Sequence, residues 1–267
     1  MNLSEYIKNN RAKGRFVFTT DQAISDLQIS KNALYCAAYK LKKKKDIISI
    51  AKHLYLIVPP EYQSVGSLPA EELLPLLMAY WKANYYVCGL SAAYYHGASH
   101  QKPQTYQVMS DHQIKSIKFG KVKIDFFCKT KLTPWLVEKK IMRTGYLTIS
   151  SPELTLYDLF SNRRLSGGLN QTATVLSELI ESLDADRLLK IIKEIKEHAW
   201  WQRLGYMLSH IDSIDSKKQK KLLQTLRKYA KKCELNWITL APELSTKNAI
   251  RDEFWKLIAN TTIETDE

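Results

Sequence analysis

The chain has 267 residues, 45% hydrophobic and 25% charged, so it is long enough to bury a core as one large domain or two of ordinary size. Lys and Arg number 40 against 27 Asp and Glu, and the net charge of +13 favours a polyanionic partner, nucleic acid before membrane. The sequence has no apolar leader, no uninterrupted apolar span and no C-x-x-C pair, which predicts a cytoplasmic protein with reduced thiols and no membrane segment.

The first part of the chain has the periodicity of three helices. A short helix is predicted over Leu3–Asn9, and a second follows in "TTDQAISDL" with Thr20 as its N-cap. A tight turn at Gln28–Ile29 leads to a longer third helix, which Ser30 caps. The inner face of this third helix is predicted to carry Leu34, Ala37 or Ala38, and Leu41.

Two β-rich runs come next, "DIISI" and "HLYLIV", and residues 51–53 join them as a hairpin. Pro59–Pro60 closes the segment, because neither residue can continue a strand ladder. Three helices followed by a two-stranded wing is the order of a winged helix-turn-helix. Residues 1–60 are therefore predicted to be a DNA-binding domain of this type.

The rest of the chain mixes strands and helices. Residues 61–82 are predicted to be a linker passing into a connecting helix. From 83 onward, "NYYVCG", "TYQVMS", "SIKFGKVKIDFFCK" and "GYLTIS" are predicted strands, and Gly97 ends the helix "LSAAYYHG". The later predicted helices are Ser151–Phe160, Gln171–Ser182, Asp184–Glu197, His198–Ile211 and Lys217–Lys232. Two β-prone runs, "NWITL" and "EFWKLIA", come near the end. The predicted fold class is α+β: the N-terminal winged helix-turn-helix, then a larger mixed domain over 83–267 with a helical C-terminal half.

The third helix is the candidate for reading DNA bases. With its apolar stripe inward, Lys31, Tyr35, Tyr39 and Lys42 lie on the outward face, with Asn32 alongside. Lys31 matches guanine acceptors and Asn32 matches adenine, while Tyr35 suits a phosphate or a thymine methyl group. For Tyr39, half-burial against the wing is the alternative.

Positive charge is concentrated around the end of this helix. Residues 1–58 carry 11 basic and 4 acidic side chains, about half of the net charge in a fifth of the chain. Lysines at the helix end suit phosphate anchoring, and Lys52 and His53 at the wing tip suit a backbone or an adjacent minor groove. The alternative is a solvated basic helix end that complements the helix dipole. The predicted DNA-binding residues are Thr20, Ser30, Lys31, Asn32, Tyr35, Tyr39, Lys42, Lys43, Lys44, Lys45, Lys52 and His53.

Three patterns in the second domain suggest other chemistry. His96 and His100 have the separation of two metal ligands on a helix, although Gly97 interrupts it and a structural histidine is the simpler interpretation. Asp125 with Glu138 and Lys140 loosely matches the D…E-x-K pattern of metal-dependent nucleases, but "VEKK" is expected in a loop or helix. Gly167–Gly168, preceded by Arg163 and Arg164, is either a phosphate-binding nest or a flexible loop.

Four ordered phrases resemble AbiEi-type antitoxins. "GLSAAYYHGA" is similar to the S-A-L-x-x-H-G-L segment of that family, and "SPELTLYDLF" to its S-x-E-R-T-L-x-D-L helix. "WQRLGYMLSHI" is similar to the R-L-G-Y-L-L helix, and "EFWKLIAN" to the R-W-x-L-I-V-N ending. Ala98 replaces the usual leucine after H-G, and Leu154 replaces the arginine of E-R-T-L, so no role of that arginine is carried over.

The resemblance implies an antitoxin of a type IV toxin–antitoxin system linked to phage abortive infection. Its expected partners are promoter inverted repeats in double-stranded DNA and an AbiEii-like nucleotidyltransferase toxin, which it counters without a tight complex. The winged domain would repress the operon, and the C-terminal domain would carry the antitoxin activity. No catalytic residue, cofactor or metal is predicted under this reading.

Other functions stay open at this stage. One is a stand-alone regulator with an effector pocket near Tyr94 and Tyr95, and another is a nuclease that uses Asp125, Glu138 and Lys140. The basic residues between 115 and 143 are either a second nucleic-acid surface or ordinary solvated strand edges.

Overall fold

A computed structural model describes residues 1–99, 102–130, 132, 134–195, 197–211 and 216–264. Its fold is α+β with mixed sheets, as the sequence predicts. The chain forms two compact units: unit 1 is Met1–Tyr86, Gln104–Leu132 and Lys139–Ile149, and unit 2 is Val87–Pro103, Thr133–Glu138 and Ser150–Glu267. These units do not coincide with the predicted segments 1–60, 61–82 and 83–267, whose boundaries stay predictions.

The N-terminal part of unit 1 contains the predicted helices and hairpin, together with a strand that sequence reasoning missed. The additional strand is three residues long and pairs antiparallel with the second strand of the hairpin, Val17 opposite Leu56. The sheet therefore has three strands in the order β1-β3-β2. The elements are α1 (Leu3–Ala12), β1 (Val17–Thr19), α2 (Thr20–Leu27), α3 (Lys31–Lys43), β2 (Ile47–Ala51) and β3 (Leu54–Ile57).

A single apolar cluster holds these elements together. The Phe18 ring of β1 stacks on Tyr55 of β3 at 5.2 Å and meets the edge of Tyr6 from α1 at 5.6 Å. Such aromatic contacts contribute about 0.5–1.5 kcal/mol each beyond the area they bury. The buried members of the cluster are Leu3, Tyr6, Ile7, Phe18, Ala23, Leu34, Ala38, Leu41, Ile47, Tyr55 and Ile57.

The segment predicted as a linker is packed into unit 1. Leu68 is fully buried, and α4 (Ala70–Trp81) buries an apolar face although Pro75 lies inside it. After it, six strands form one sheet in the order β6-β7-β5-β4-β9-β8, in which β5 and β7 are parallel. These strands are β4 (Tyr85–Val87), β5 (Tyr106–Ser110), β6 (Ile117–Phe119), β7 (Val122–Cys128), β8 (Val137–Met142) and β9 (Gly145–Ser150).

Strand β8 corrects an expectation from the sequence. The phrase "VEKK" was expected in a loop or a helix, but it forms the last strand of the sheet. Its central four residues are all exposed, so they lack the alternation of apolar and polar residues that marks a half-buried strand. Strand β8 is therefore held extended by its hydrogen bonds to the neighbouring strand β9 and not by a pattern in its own residues.

Unit 2 is mostly helical. Its predicted helices are all present within two to three residues of their expected ends, and a short helix at Arg163–Ser166 was not expected. A small sheet near the C-terminus has the order β10-β12-β11. No helix among the residues described is long and apolar enough to cross a membrane. The elements are α5 (Gly89–Tyr95), α6 (Pro152–Ser161), α7 (Arg163–Ser166), α8 (Leu169–Leu179), α9 (Ala185–Glu194), α10 (Ala199–His210), α11 (Ser216–Ala230), β10 (Ile238–Thr239), β11 (Ile250–Asp252) and β12 (Leu257–Ala259).

Candidate nucleic-acid interface

Helix α3 is oriented by its cap and its apolar stripe. The Ser30 hydroxyl accepts a hydrogen bond from the Ala33 amide at 3.2 Å, which satisfies one of the free donors at the helix start. Three residues of α3 face the core and are buried: Leu34, Ala38 and Leu41. The predicted cap and the predicted inner face are both confirmed, so the opposite face must be the accessible one.

The outward face of α3 combines two tyrosines with cationic and amide side chains. Lys31 and Asn32 are exposed in its first turn. Tyr35 is 39% exposed and Tyr39 is 60% exposed, so both rings are accessible on this face. The Lys31 Nζ lies 5.9 Å from the Tyr35 ring centroid. These side chains form one accessible stripe beginning at the helix N-terminus, where helix-turn-helix proteins contact base edges.

The C-terminal end of α3 presents four exposed lysines, Lys42 to Lys45. The Lys42 Nζ lies 4.9 Å from the ring centroid of Tyr55, and that of Lys43 lies 4.8 Å from the ring of Tyr39. Cation–π contacts of this kind at an exposed site contribute about 0.5–1 kcal/mol. Burial raises the pKa of the Tyr55 phenol, so this ring stays neutral beneath Lys42.

The backbone also fixes where these lysines point. Lys45 adopts a left-handed conformation with φ of 59°. Its amide donates to the Lys42 carbonyl, and the Asp46 amide donates to the Leu41 carbonyl, both at 3.0 Å. This is the Schellman helix ending, in which glycine normally occupies the left-handed position. A lysine there is retained at a conformational cost, since an L side chain is disfavoured in this region by about 1–2 kcal/mol.

The wing turn is held by backbone contacts on both sides. Lys52 and His53 are exposed at the turn, and His53 has φ of 61°. The Tyr80 hydroxyl donates to the Lys52 carbonyl at 2.7 Å, and the Thr20 amide donates to the His53 carbonyl at 2.9 Å. Because both carbonyls are engaged, the two side chains project from a fixed turn.

Two expectations for Thr20 are corrected. The N-cap of α2 is Thr19, whose hydroxyl accepts from the Gln22 amide at 3.2 Å. Thr20 is only 1% exposed, and its hydroxyl lies 3.5 Å from Nδ1 of His53. Its side chain therefore positions the wing turn and is not part of the accessible surface.

The basic residues between 115 and 143 divide into two kinds. Lys118 and Lys123 are exposed and directly opposite each other across β6 and β7, an arrangement of like charges that destabilises a strand pair. Asp125 lies 3.4 Å from the Lys123 Nζ and offsets part of that repulsion. Arg143 is instead engaged within unit 1: it pairs with Glu61 and with Glu72, the latter at 2.8 Å. A second nucleic-acid surface over 115–143 stays a prediction, without Arg143.

The nuclease arrangement is not formed. Asp125 lies on β7, whereas Lys140 lies on β8, and three strands of the sheet separate β7 from β8. Four strand spacings amount to about 19 Å, too far for both to serve one metal ion and its water. Sequence reasoning proposed the pattern because separation along the chain does not report the order of strands.

The histidine and tyrosine candidates of unit 2 have structural contacts. A nitrogen of the His96 ring lies 2.7 Å from the Ser150 carbonyl oxygen, while His100 lies outside the described residues. No group of three His, Cys, Asp or Glu side chains within the described ranges is arranged to hold a metal ion. Tyr94 and Tyr95 contact each other edge to face, with ring centroids 5.8 Å apart.

The phrase "SPELT" builds a buried polar network at the start of α6. The Ser151 hydroxyl caps the helix and donates to the Glu153 carboxylate at 2.8 Å. The other Glu153 oxygen accepts from the Asp184 amide at 2.8 Å, just before α9 begins. Because a buried carboxylate is costly unless it is hydrogen-bonded, these bonds stabilise Glu153 and tie two helices together.

Two other phrases of the resemblance meet in space. A methyl group on Gly205 of α10 would lie 2.4 Å from the Trp255 ring, so the glycine is needed for the tryptophan to pack there. The Asn260 amide near the end of "EFWKLIAN" both accepts from the Ala241 amide at 3.0 Å and donates to the Ala241 carbonyl at 2.7 Å. The R-L-G-Y and W-x-L-I-x-N phrases thus form one packed structure.

Comparison with known proteins agrees with this resemblance. Residues 85–210, just under half of the chain, match the family model described as AbiEi antitoxin C-terminal domain, which confirms the resemblance to AbiEi-type antitoxins. No curated protein matches the sequence. Among solved structures, the crystal structure of the RV2827C protein from Mycobacterium tuberculosis is similar, with a TM-score of 0.66 and 15% identity over 96% of this chain and 90% of that one. At that identity the likeness concerns the fold alone.

Proposed function

From the AbiEi-like region at residues 85–210, we propose that this chain is the antitoxin of a type IV toxin–antitoxin system. It counters a nucleotidyltransferase-like toxin and represses its own operon by binding inverted repeats in the promoter. The family match supports the antitoxin part and a regulatory role without catalysis. The geometry of the N-terminal elements supports the DNA-binding part.

We also propose that residues 1–60 are a winged helix-turn-helix. Helices α2 and α3 are joined by a short turn, where Gln28 is left-handed with φ of 50°, and the β2–β3 hairpin follows α3. The observation that carries the proposal is the division of α3 into two faces. Three apolar residues are buried in the core, while Lys31, Asn32, Tyr35 and Tyr39 are all exposed on the other side. In this geometry α3 enters the major groove.

The two ends of α3 have different tasks in this proposal. Side chains at its start contact base edges and give the preference for an operator, whereas Lys42 to Lys45 contact phosphates regardless of sequence. Lys52 and His53, projecting from the fixed wing turn, contact the backbone or the adjacent minor groove. Affinity and specificity can therefore be altered separately.

A gel-shift titration with full-length protein tests the DNA-binding proposal. The probes are the promoter fragment next to the gene and a duplex of the same composition in scrambled order. Tyr35→Ala should reduce the preference for the promoter by ~1–3 kcal/mol if the ring makes a good base contact. Tyr94→Ala is the matched control, because Tyr94 is 38% exposed against 39% for Tyr35 but lies in unit 2. Equal binding of wild type to both duplexes would refute the repressor role.

Co-expression with the nucleotidyltransferase-like toxin of an adjacent gene tests the proposed antitoxin activity. Wild type and Tyr35→Ala should both rescue growth, while only wild type should silence a reporter driven by the promoter. Variants of the full chain are preferable to a fragment such as 61–267, because Arg143 contacts the Phe16 ring at 4.6 Å and ties the N-terminal elements to the rest of unit 1. If wild type fails to rescue yet represses the reporter, the alternative of a stand-alone regulator is favoured.

A further inference from the structure

Unit 2 contains a cavity that the DNA-binding proposal does not use. Its volume is about 180 Å³, room for roughly six water molecules. It lies where α7 ends and α8 begins, at the loop of Gly167–Gly168 that the sequence marked as either a phosphate nest or a flexible loop. The end of α6, Arg203 of α10 and the segment Leu240–Glu243 complete its wall. Asn260 holds this last segment in place through its contacts with Ala241.

Arg203 is the unexpected member of this wall. It is the arginine of the R-L-G-Y phrase, it is half-buried, and its Nε donates to the Thr239 carbonyl at 3.0 Å. No residue in the described ranges accepts a hydrogen bond from its two terminal amino groups. Burial lowers the pKa of this guanidinium and nearby Arg163 lowers it further, whereas the carboxylates of Glu197 and Glu243 raise it. A half-buried cation with unused donors is costly to maintain without an anionic partner.

The other charges around the cavity leave it cationic. Arg163 pairs with Glu243, and Arg203 leaves the charged residues that line the cavity with an excess of positive charge, which Glu197 opposes from outside the lining. Gly168, with φ of 118°, begins α8 without a side-chain cap, and its amide donates to the Ser166 hydroxyl at 3.3 Å. The positive excess and the unused amino groups of Arg203 favour an anion with several acceptor oxygens.

Another part of the cavity lining is apolar. Leu159, Phe160 and Leu240 line it, together with Ala241 and Pro242. A bare inorganic ion would leave this surface in contact with water, whereas an organic group attached to the anion would cover it. The charged and the apolar parts of the lining together therefore suit an amphipathic ligand of small size.

We propose that this cavity binds a small phosphate monoester. The phosphate lies between Arg203 and Arg163, where planar guanidinium groups can donate two parallel hydrogen bonds to its oxygens. The organic part lies on the apolar wall beside Leu240. The site is independent of the α3 face, so the loss of one activity is distinguishable from the loss of the other.

Isothermal titration calorimetry of the full chain with phenyl phosphate and with inorganic phosphate, at constant ionic strength, tests the proposal. Both should bind saturably, and phenyl phosphate should bind more tightly. Arg203→Met, which keeps an unbranched side chain and removes the charge, should weaken both by about tenfold or more. Arg164→Met is the control, because Arg164 is the exposed neighbour of Arg163 and does not line the cavity. It should bind like wild type.

Absence of saturable binding to wild type would overturn the proposal, and so would equal weakening in the two variants, which indicates general charge attraction. If Arg203→Met does not fold, amide NMR of wild type decides the matter. Added phenyl phosphate should then shift the signals of Gly167, Gly168 and Ala241 more than those of residues in α3, and uniform or absent shifts would overturn the site.

Discussion

Neutralising the lysines at the end of α3 should change how DNA binding depends on salt. Replacing Lys42 to Lys45 by glutamine removes four exposed charges and keeps a polar side chain of similar helix propensity. Each phosphate contact contributes about 0.9 to the slope of log K against log salt, so four contacts contribute about 3.6. Between 50 and 200 mM salt, wild type should lose roughly 150-fold more affinity than the variant.

The variant should remain folded, which makes the comparison interpretable. Of the four replaced lysines, Lys42 and Lys43 contact aromatic rings in the described part of the chain, and two exposed cation–π contacts amount to about 1–2 kcal/mol. Fluorescence anisotropy with the promoter duplex at five salt concentrations gives both slopes, and circular dichroism confirms the fold.

The matched control removes the same charge from another helix. Four lysines of α11 are exposed in unit 2: Lys217, Lys220, Lys221 and Lys228. Their replacement by glutamine lowers the net charge equally but should leave the slope unchanged. Equal slopes for wild type and the α3 variant, or equal reductions in the two variants, would show that the α3 lysines only cover a solvated helix end.

Three other outcomes are expected. Lys45→Gly relieves the left-handed strain at φ of 59° and should raise the free energy of unfolding by ~0.5–1 kcal/mol in urea while weakening DNA binding. Gly205→Ala forces a methyl group to 2.4 Å from Trp255 and should lower that free energy by ~1–3 kcal/mol. Adding Trp255→Phe should recover part of the loss, whereas simple additivity of the two costs would contradict this packing. Burial raises the pKa of Tyr85 from 10.0 to about 12. Because the unfolded state releases this proton first, stability should fall as pH rises from 10 to 12, by up to ~2.7 kcal/mol from this group. Denaturation of Tyr85→Phe over the same range should show a smaller decline, and an equal decline would refute the assignment.

Capping residues and helical spacing were sufficient to predict an element whose conformation depends on its own residues. Helix α3 was predictable because Ser30 caps it and its buried residues recur at helical spacing. The exposed face followed from the same periodicity, which is why Tyr35 and Tyr39 were placed correctly. The same reasoning chose the wrong N-cap for α2, because the hydroxyl of either Thr19 or Thr20 could cap the helix. The packing of α2 decides that Thr19 is the cap and that Thr20 is buried.

Elements that depend on distant partners were missed. Strand β1 has three residues, and its pairing partner Leu56 is far along the chain from Val17. Strand β8 is exposed along its length and has no pattern of its own. The ion pairs of Arg143 could not be predicted either, because its partners Glu61 and Glu72 are distant from it in sequence.

The amino-acid sequence by itself determined the α+β class, the helix periodicities, the basic N-terminal segment and the four phrases that resemble AbiEi-type antitoxins. Only the tertiary structure decided that Asp125 and Lys140 are separated by three strands, that Thr20 is buried, and that Arg203 faces a cavity with Arg163. The physical reason is that capping and periodicity act within one or two helical turns, whereas strand order, burial and the convergence of charges depend on contacts between residues far apart along the chain.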